Sequence, residues 1–194
     1  MKKVITLLTA IIIISGCGDN FELNENVTDL HVKLINQDSI VVEYPDIIKN
    51  KIAVIGFIYT HCPDICPLTT HNMQLAQESL SSSELKDVQF ILVSFDPERD
   101  TPSVLREYAS VRNMNMEHWM LLTGNEKNID SLISVFNVKA FHDDTTFNQK
   151  GEPEYFMIHT DRISLVDQKG HLRQNYKGST AKPEKLDEDI NQLL

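Results

Sequence analysis

The chain has 194 residues, of which 41% are hydrophobic and 24% charged, and its formal net charge at pH 7 is -10. This length and composition predict one globular domain with a small additional segment, and they exclude a chain too polar to form a core. The acidic balance argues against nucleic acid, or an anionic membrane surface, as the main binding partner.

The first 17 residues have the pattern of an export signal. Two lysines form a basic start, residues 4–14 are apolar, and small residues precede Cys17. The apolar run is shorter than the ~20 residues that span a bilayer. Ile14-Ser15-Gly16-Cys17 resembles the bacterial lipoprotein cleavage box, which predicts that Cys17 becomes the lipid-modified first residue. An ordinary secretory signal that is cut nearby is the alternative.

This N-terminus predicts where the protein works. We expect an extracytoplasmic protein anchored to a bacterial membrane through Cys17. Lipidation uses one of the three cysteines and leaves Cys62 and Cys66 as a pair in an oxidising compartment. Residues 18–28 are polar and predict a flexible tether to a domain over residues 29–194.

Alternating apolar residues at the start of the domain predict a β-hairpin. Apolar side chains recur at every second position in Leu30–Leu34 and again in Ile40–Tyr44, and a polar segment separates the two runs. This period of two is typical of strands with one buried face. We expect the hairpin to precede the main sheet as an N-terminal extension.

The stretch of residues 53–70 carries the predicted centre of the protein. Ala53–Tyr59 is an unbroken apolar run, which is typical of a strand buried on both faces. Cys62 and Cys66 follow, and each precedes a proline, which favours extended or turn backbone at both cysteines. Pro67 is suited to begin a helix that ends near Leu80. The helix dipole is expected to lower the pKa of Cys66 at its N-terminus.

The remaining pattern alternates strands with helices. The expected elements are a strand at Val88–Phe95, a helix from Pro102 to about Asn113, a strand at Trp119–Leu122, a helix from Asn125, a long irregular loop at Asn137–Pro153, a strand at Tyr155–His159 that continues at Ile163–Asp167, and a helix from about Pro183 to Leu194. This order predicts an α/β domain with a thioredoxin-like mixed sheet flanked by helices. The sequence contains no glycine-rich phosphate loop, which argues against a dinucleotide-binding fold.

Cys62 and Cys66 suggest metal binding or redox chemistry. The three residues between them allow both sulfurs to reach one metal ion or to close a disulfide. Thioredoxin-type dithiols have two intervening residues, so the spacing of three residues in this chain mildly favours metal binding over redox chemistry. Two thiolates leave most metals short of ligands, and His159, at the end of an apolar strand, and His142, in the long loop, are candidates for a third. By pattern alone, each is more often structural.

The charged turn after the second core strand has a structural interpretation. We expect Arg99 to stabilise the Asp96–Pro102 turn by pairing with a carboxylate. We do not expect this segment to supply metal ligands. Asp64, inside the cysteine loop, is expected to accept hydrogen bonds from loop amides.

Four segments resemble the Sco/SenC family of membrane-anchored copper proteins. They are Tyr59–Pro67, Ser94–Pro102, His159 with the strand Ile163–Asp167, and the anchoring N-terminus. The resemblance implies a thioredoxin-like fold that binds one copper ion, Cu(I) or Cu(II), through Cys62, Cys66 and His159. Thr160–Arg162 and the long loop diverge from the family pattern, and Ile65 replaces its commoner valine.

The resemblance also implies a function. A metallochaperone would help to place copper in the binuclear copper centre of cytochrome c oxidase. Its partners would be the oxidase copper-centre subunit, an upstream copper donor and a thioredoxin-like reductant. Soft thiolates and imidazole suit Cu(I), and zinc with the same ligands is the alternative metal.

Three other functions are compatible with the same residues. In a thiol-disulfide reductase acting on the oxidase cysteines, Cys62 and Cys66 would be the reacting pair. A copper or redox sensor would use the same residues. A thiol peroxidase needs an arginine beside its reactive cysteine, and none lies near the motif in the sequence.

Overall fold

A computed structural model describes residues 21–147 and 153–194. The strands in this part of the chain are β1 (Glu25–Asn26), β2 (Val32–Asn36), β3 (Val41–Tyr44), β4 (Ile52–Ile58), β5 (Val88–Ser94), β6 (Trp119–Thr123), β7 (Ala140–His142), β8 (Thr146–Phe147), β9 (Pro153–Glu154), β10 (Met157–His159), β11 (Ile163–Val166) and β12 (His171–Tyr176). The helices are α1 (Ile65–Ser79), α2 (Pro102–Val111), α3 (Glu126–Val135) and α4 (Pro183–Leu193). The predicted signal peptide and Cys17 lie outside the described residues. Within the described ranges, no helix has the length and apolar character needed to cross a bilayer.

Eight strands form a mixed sheet in the order β1-β12-β11-β4-β5-β6-β2-β3. The central strands β4, β5 and β6 are parallel, and their neighbours are antiparallel. All seven residues of β4 are buried, as the unbroken apolar run predicts for a strand covered on both faces. The predicted thioredoxin-like α/β class is confirmed.

The N-terminal hairpin is part of the main sheet. β2 pairs with β3 as predicted, and β2 also pairs with β6, so the hairpin forms one edge of the sheet. At the opposite edge, β1 pairs with β12. Residues 21–28 therefore pack on the domain, whereas the sequence predicts that they belong to a flexible tether. Val27 is buried, and the few apolar residues in this polar stretch were too widely spaced to form a recognisable pattern.

The segment after α3 differs from the prediction of an irregular loop. β7 pairs with β10 in a separate two-stranded sheet, which we call the arm, and β8 pairs with β9. The expected strand at Tyr155–His159 is restricted to β10, and it belongs to the arm rather than to the main sheet. These strands are two or three residues long, so their pairing partners and not their local periodicity define them.

Candidate metal centre

The cysteine loop leaves the carboxyl end of β4. Cys62 lies in this loop, and Cys66 is the second residue of α1, which begins at Ile65 rather than at Pro67. The expectation of extended or turn backbone is therefore wrong for Cys66. Pro67 is tolerated as the third helical residue because the first amides of a helix have no intrahelical acceptor.

The structure brings Cys62, Cys66 and His159 together. Their ligand atoms all lie within 4.8 Å of one another, and Cys66 Sγ is 3.8 Å from His159 Nε2. Both cysteines are buried and His159 is partly buried. Residues 93 positions apart in the chain meet because β10 ends next to the first turn of α1. Over residues 21–147 and 153–194, this is the one group of three or more His, Cys, Asp or Glu side chains arranged for a metal.

The orientation of His159 leaves one ring nitrogen free for a metal. Nδ1 lies 3.1 Å from the Thr160 carbonyl oxygen, which can only accept, so Nδ1 carries the proton and donates it. In the neutral ring, Nε2 then presents its lone pair toward Cys66. The ring also contacts Phe95 and Tyr59 at centroid distances of 4.7 and 5.8 Å. Such a fixed tautomer is typical of metal-binding histidines.

The two thiols are electrostatically unequal. A hydrogen bond from the Cys66 thiol holds the pKa of Cys62 well below its usual range, and the Cys66 amide donates to the same sulfur at 3.4 Å. The bond to Cys62 and burial raise the pKa of Cys66. The expectation that the helix N-terminus lowers the pKa of Cys66 is therefore wrong, because the first-turn amide of α1 stabilises the other sulfur.

Asp161 connects the histidine segment to α1. Its carboxylate accepts hydrogen bonds from the Ser179 amide at 3.0 Å, from the Ser179 hydroxyl at 2.6 Å and from the Thr69 hydroxyl at 3.3 Å. Gly178 fits between these groups because it has no Cβ; an added Cβ would lie 2.6 Å from Thr69 Oγ1 and 2.8 Å from Asp161 Oδ1. Asp161 thus fixes the position of His159 relative to Cys66.

Asp100 fixes the start of the cysteine loop. It is fully buried and accepts hydrogen bonds from the Thr60 amide at 2.9 Å and the Ser94 hydroxyl at 2.5 Å. Burial raises the pKa of this carboxyl, and the hydrogen bonds oppose that rise. The bonds join the loop after β4 to the end of β5.

The predicted ion pair of Arg99 is confirmed. Arg99 Nε donates to Asp96 Oδ2 at 2.5 Å, and the guanidinium stacks over the Tyr155 ring at 3.6 Å. Asp96 also accepts from the Tyr155 hydroxyl at 2.8 Å. The sequence did not indicate the contributions of Tyr155 and Asp161, because both act across long separations in the chain and belong to no local motif.

Two other histidines lie near the motif or the arm but outside the cluster. His61 is exposed, and its Nδ1 lies 3.2 Å from the Thr60 hydroxyl. His142, the second candidate from the sequence, is exposed on β7 and stacks on Tyr155 with ring centroids 4.2 Å apart. The structure therefore groups His159, and not His142, with the two cysteines.

The three grouped residues suit copper chemically. Two sulfurs select soft ions such as Cu(I), and an imidazole nitrogen completes a three-donor set. The burial of both sulfurs protects them from solvent, while the partly exposed histidine lies at the accessible side. The donor set therefore fits a bound Cu(I) ion.

Comparisons with known proteins cover the whole site. A family model described as SCO1/SenC matches residues 23–194. The SCO1 protein homolog of Bacillus subtilis is 32% identical over 143 residues, which are 74% of this chain and 70% of that protein.

Solved structures share the fold over most of the chain. Bradyrhizobium japonicum ScoI with copper bound has a TM-score of 0.72 and 28% identity, over 85% of this chain and 98% of that one. A SCO1/SenC family lipoprotein from Bacillus anthracis has a TM-score of 0.71 and 26% identity, over 90% and 97%. BsSco, described as a cytochrome c oxidase assembly protein of the Sco family with a disulfide switch, has a TM-score of 0.68 and 27% identity, over 88% and 94%.

Proposed function

This chain belongs to the SCO1/SenC family, and from that premise we propose that it is an extracytoplasmic copper-binding protein that helps to assemble the binuclear copper centre of cytochrome c oxidase. The observation that carries the proposal is the approach of Cys62, Cys66 and His159 to within 4.8 Å of one another. The copper bound to B. japonicum ScoI and the assembly role given for BsSco support it.

Each of the three residues has a distinct part in holding copper. Cys62 supplies a thiolate that the protein already stabilises, and Cys66 loses its proton when a metal replaces the hydrogen bond between the two sulfurs. His159 offers Nε2 from the more exposed side. One copper ion per chain would thus bind to two buried sulfurs and one accessible nitrogen. A partner ligand that displaces the imidazole first could remove the ion stepwise.

The proposal includes an anchor and a set of partners. We propose cleavage before Cys17, lipidation of that residue, and a metal-binding domain over residues 29–194 on which residues 21–28 pack. The lipoprotein from B. anthracis supports an anchored form. The copper-centre subunit of the oxidase would accept the ion, an upstream donor would supply it, and a thioredoxin-like protein would reduce the cysteine pair.

The low pKa of Cys62 favours a second candidate function, thiol-disulfide reduction. The Cys62 thiolate would attack a partner disulfide and form a mixed disulfide, releasing one partner thiolate. Cys66, after losing its proton, would attack the Cys62 sulfur and release the second partner thiolate. The partner disulfide gains two electrons, and the Cys62–Cys66 pair loses them in forming its own disulfide.

An anaerobic Cu(I) competition titration tests the proposed function. The full-length protein, reduced and kept in detergent, is compared with His159→Ala and with the control His61→Ala. Loss of one of three ligands should weaken binding by about tenfold or more, or about 1.4 kcal/mol. His61→Ala should bind one equivalent as tightly as the wild type, because His61 is exposed and lies outside the cluster.

The same titration separates the two candidate functions. Equal affinities of His159→Ala and the wild type would contradict the three-ligand site. The cysteine pair would then be better explained as a redox dithiol, since disulfide exchange needs no distant histidine.

A further inference from the structure

A groove lies next to the candidate metal centre. Its volume is about 540 Å³, and its walls are the segment after β5, the start of α3 and the arm. Phe95 contributes to the groove and also contacts the His159 ring at a centroid distance of 4.7 Å. The groove is therefore adjacent to the metal centre and shares a side chain with its surroundings.

The register of the arm places two copper-compatible side chains at this groove. Met157 on β10 pairs directly with His142 on β7, and both line the groove. Side chains of directly paired antiparallel residues project from the same face, with Cβ atoms about 5 Å apart. Because alternate residues of a strand share a face, His159 lies on the same face as Met157.

The ring nitrogens of His142 are available. Stacking on Tyr155 engages the face of the imidazole, and neither nitrogen hydrogen-bonds to a residue in the described ranges. The ring can therefore bind a ligand through its edge without losing another interaction to those residues.

We propose that His142 and Met157 form a second, weaker Cu(I) site, through which the ion reaches Cys62, Cys66 and His159. The inference rests on the proposed function, since it describes how the same cargo enters. Imidazole and thioether are ligands for Cu(I), and a set of two neutral donors holds the ion less tightly than two thiolates and an imidazole. The ion therefore moves toward the tighter site by exchange of ligands, with no change of oxidation state.

The charge of the groove assists this role. Glu98, Glu126 and Asp130 line it, and its described lining residues include no lysine or arginine. None of the three forms an ion pair with a residue in the described ranges. Walls of one sign raise the local concentration of the opposite ion, so a cation is attracted to the place where the imidazole and thioether lie.

A loading-rate experiment tests the second site. Full-length reduced protein is mixed anaerobically with Cu(I) held by a chromophoric chelator, and the transfer rate and final affinity are both measured. His142→Asn and Met157→Leu should each slow loading by about fivefold or more, because each removes one of the two proposed Cu(I) ligands of the entry site. The controls His31→Asn and Met116→Leu replace the same residue types outside the groove and should load at the wild-type rate.

The two readouts keep the proposals apart. Wild-type loading rates in both His142→Asn and Met157→Leu would overturn the second site, whatever the final affinity. If the wild-type protein bound no tight equivalent of Cu(I), that result would instead contradict the proposed function.

An equilibrium measurement gives an independent check. The double variant Cys62→Ser with Cys66→Ser removes the sulfurs of the tight site and should retain one weak Cu(I) equivalent. Addition of His142→Asn should abolish that equivalent. Unchanged weak Cu(I) binding in the triple variant would show that the weak site lies elsewhere, and it would overturn the assignment of that site to His142 and Met157.

Discussion

At the scale of single residues, the two site cysteines differ chemically although the sequence places each of them before a proline. Cys62 receives hydrogen bonds from the thiol and the amide of Cys66, and these bonds favour its thiolate. Cys66 is the donor and is almost fully buried, so its thiol form is favoured. The reduced, metal-free pair is therefore a thiolate beside a thiol, and Cys62 is the expected nucleophile.

Alkylation measures this difference. At about pH 6, an ordinary thiol with a pKa near 8.5 is less than about 1% ionised, whereas the lowered pKa of Cys62 keeps it as a thiolate. Iodoacetamide should therefore modify Cys62 before Cys66, as read by mass spectrometry. Cys66→Ala should slow the alkylation of Cys62 at this pH by about tenfold or more, since it removes the largest stabilising contact.

Cys66→Ser is the matched control, because its hydroxyl can still donate to the Cys62 sulfur. It should slow the reaction less than Cys66→Ala. If Cys66 were alkylated before Cys62, or if Cys62 were alkylated at equal rates in the two variants, the Cys66 donor would not control the ionisation of Cys62.

At the scale of elements, local capping signals place the helices, while distant side chains place the proposed metal ligands. Thr101 caps α2 and Asn125 caps α3, as their positions in the sequence indicate. The contact between α1 and the histidine segment has no such local signal. It depends on Asp161 and on the small volume of Gly178.

Replacing Gly178 should disturb the metal centre without touching a ligand. The Cβ of Gly178→Ala would lie 2.8 Å from Asp161 Oδ1, so the carboxylate or its partner Thr69 must move. We expect Cu(I) affinity to fall by about fivefold or more, together with a loss of about 1–3 kcal/mol in the free energy of unfolding. Competition titration and urea unfolding measure the two effects.

Gly124→Ala is a control for this substitution, because its nearest atom, Leu34 Cδ2, is 3.4 Å away. Asp161→Ala should reproduce the loss of affinity. Asp161→Asn should lower affinity less, because it keeps one acceptor for the Ser179 amide. Wild-type affinity in both Gly178→Ala and Asp161→Ala would show that the histidine segment is positioned by other contacts.

At the scale of the whole molecule, the first and the last strand of the described residues pair at one edge of the sheet. β1 pairs with β12, and the Val27 amide donates to the Gly170 carbonyl at 3.0 Å. Gly170 has a φ of 81°, and a Cβ there would collide with the Thr28 side chain. This turn requires glycine for both its backbone conformation and the close approach of the N-terminal segment.

Gly170→Ala should therefore loosen the N-terminal segment while the metal centre stays intact. The left-handed backbone alone costs a residue with a Cβ about 1–2 kcal/mol. We expect lower stability in urea and faster hydrogen exchange at the Val27 amide, with Cu(I) affinity within about twofold of the wild type, since additivity holds for distant sites. A large drop in affinity would show that this edge is coupled to the metal site.

The sequence alone determined the elements with strong local patterns. Strand β4 and the caps of α2 and α3 depend on residues close in the chain, so local pattern is enough to predict them. The prolines after the two cysteines, in contrast, misplace the start of α1, which begins at Ile65. These patterns and the family resemblance were sufficient to predict the fold class. The grouping of Cys62 and Cys66 near one another also follows from their short spacing.

Local pattern does not indicate which distant group joins them; the family resemblance implies His159, and the folded chain brings it there. By pattern alone, His159 and His142 were similar candidates; the register of β7 with β10 and the hydrogen bonds of Asp161 place His159 next to Cys66 and leave His142 at the groove. The ionisation order of the thiols likewise depends on which sulfur receives the amide of Cys66. Local periodicity cannot report such contacts, because they form between segments that are far apart in the chain and are fixed only when the sheet and the arm assemble.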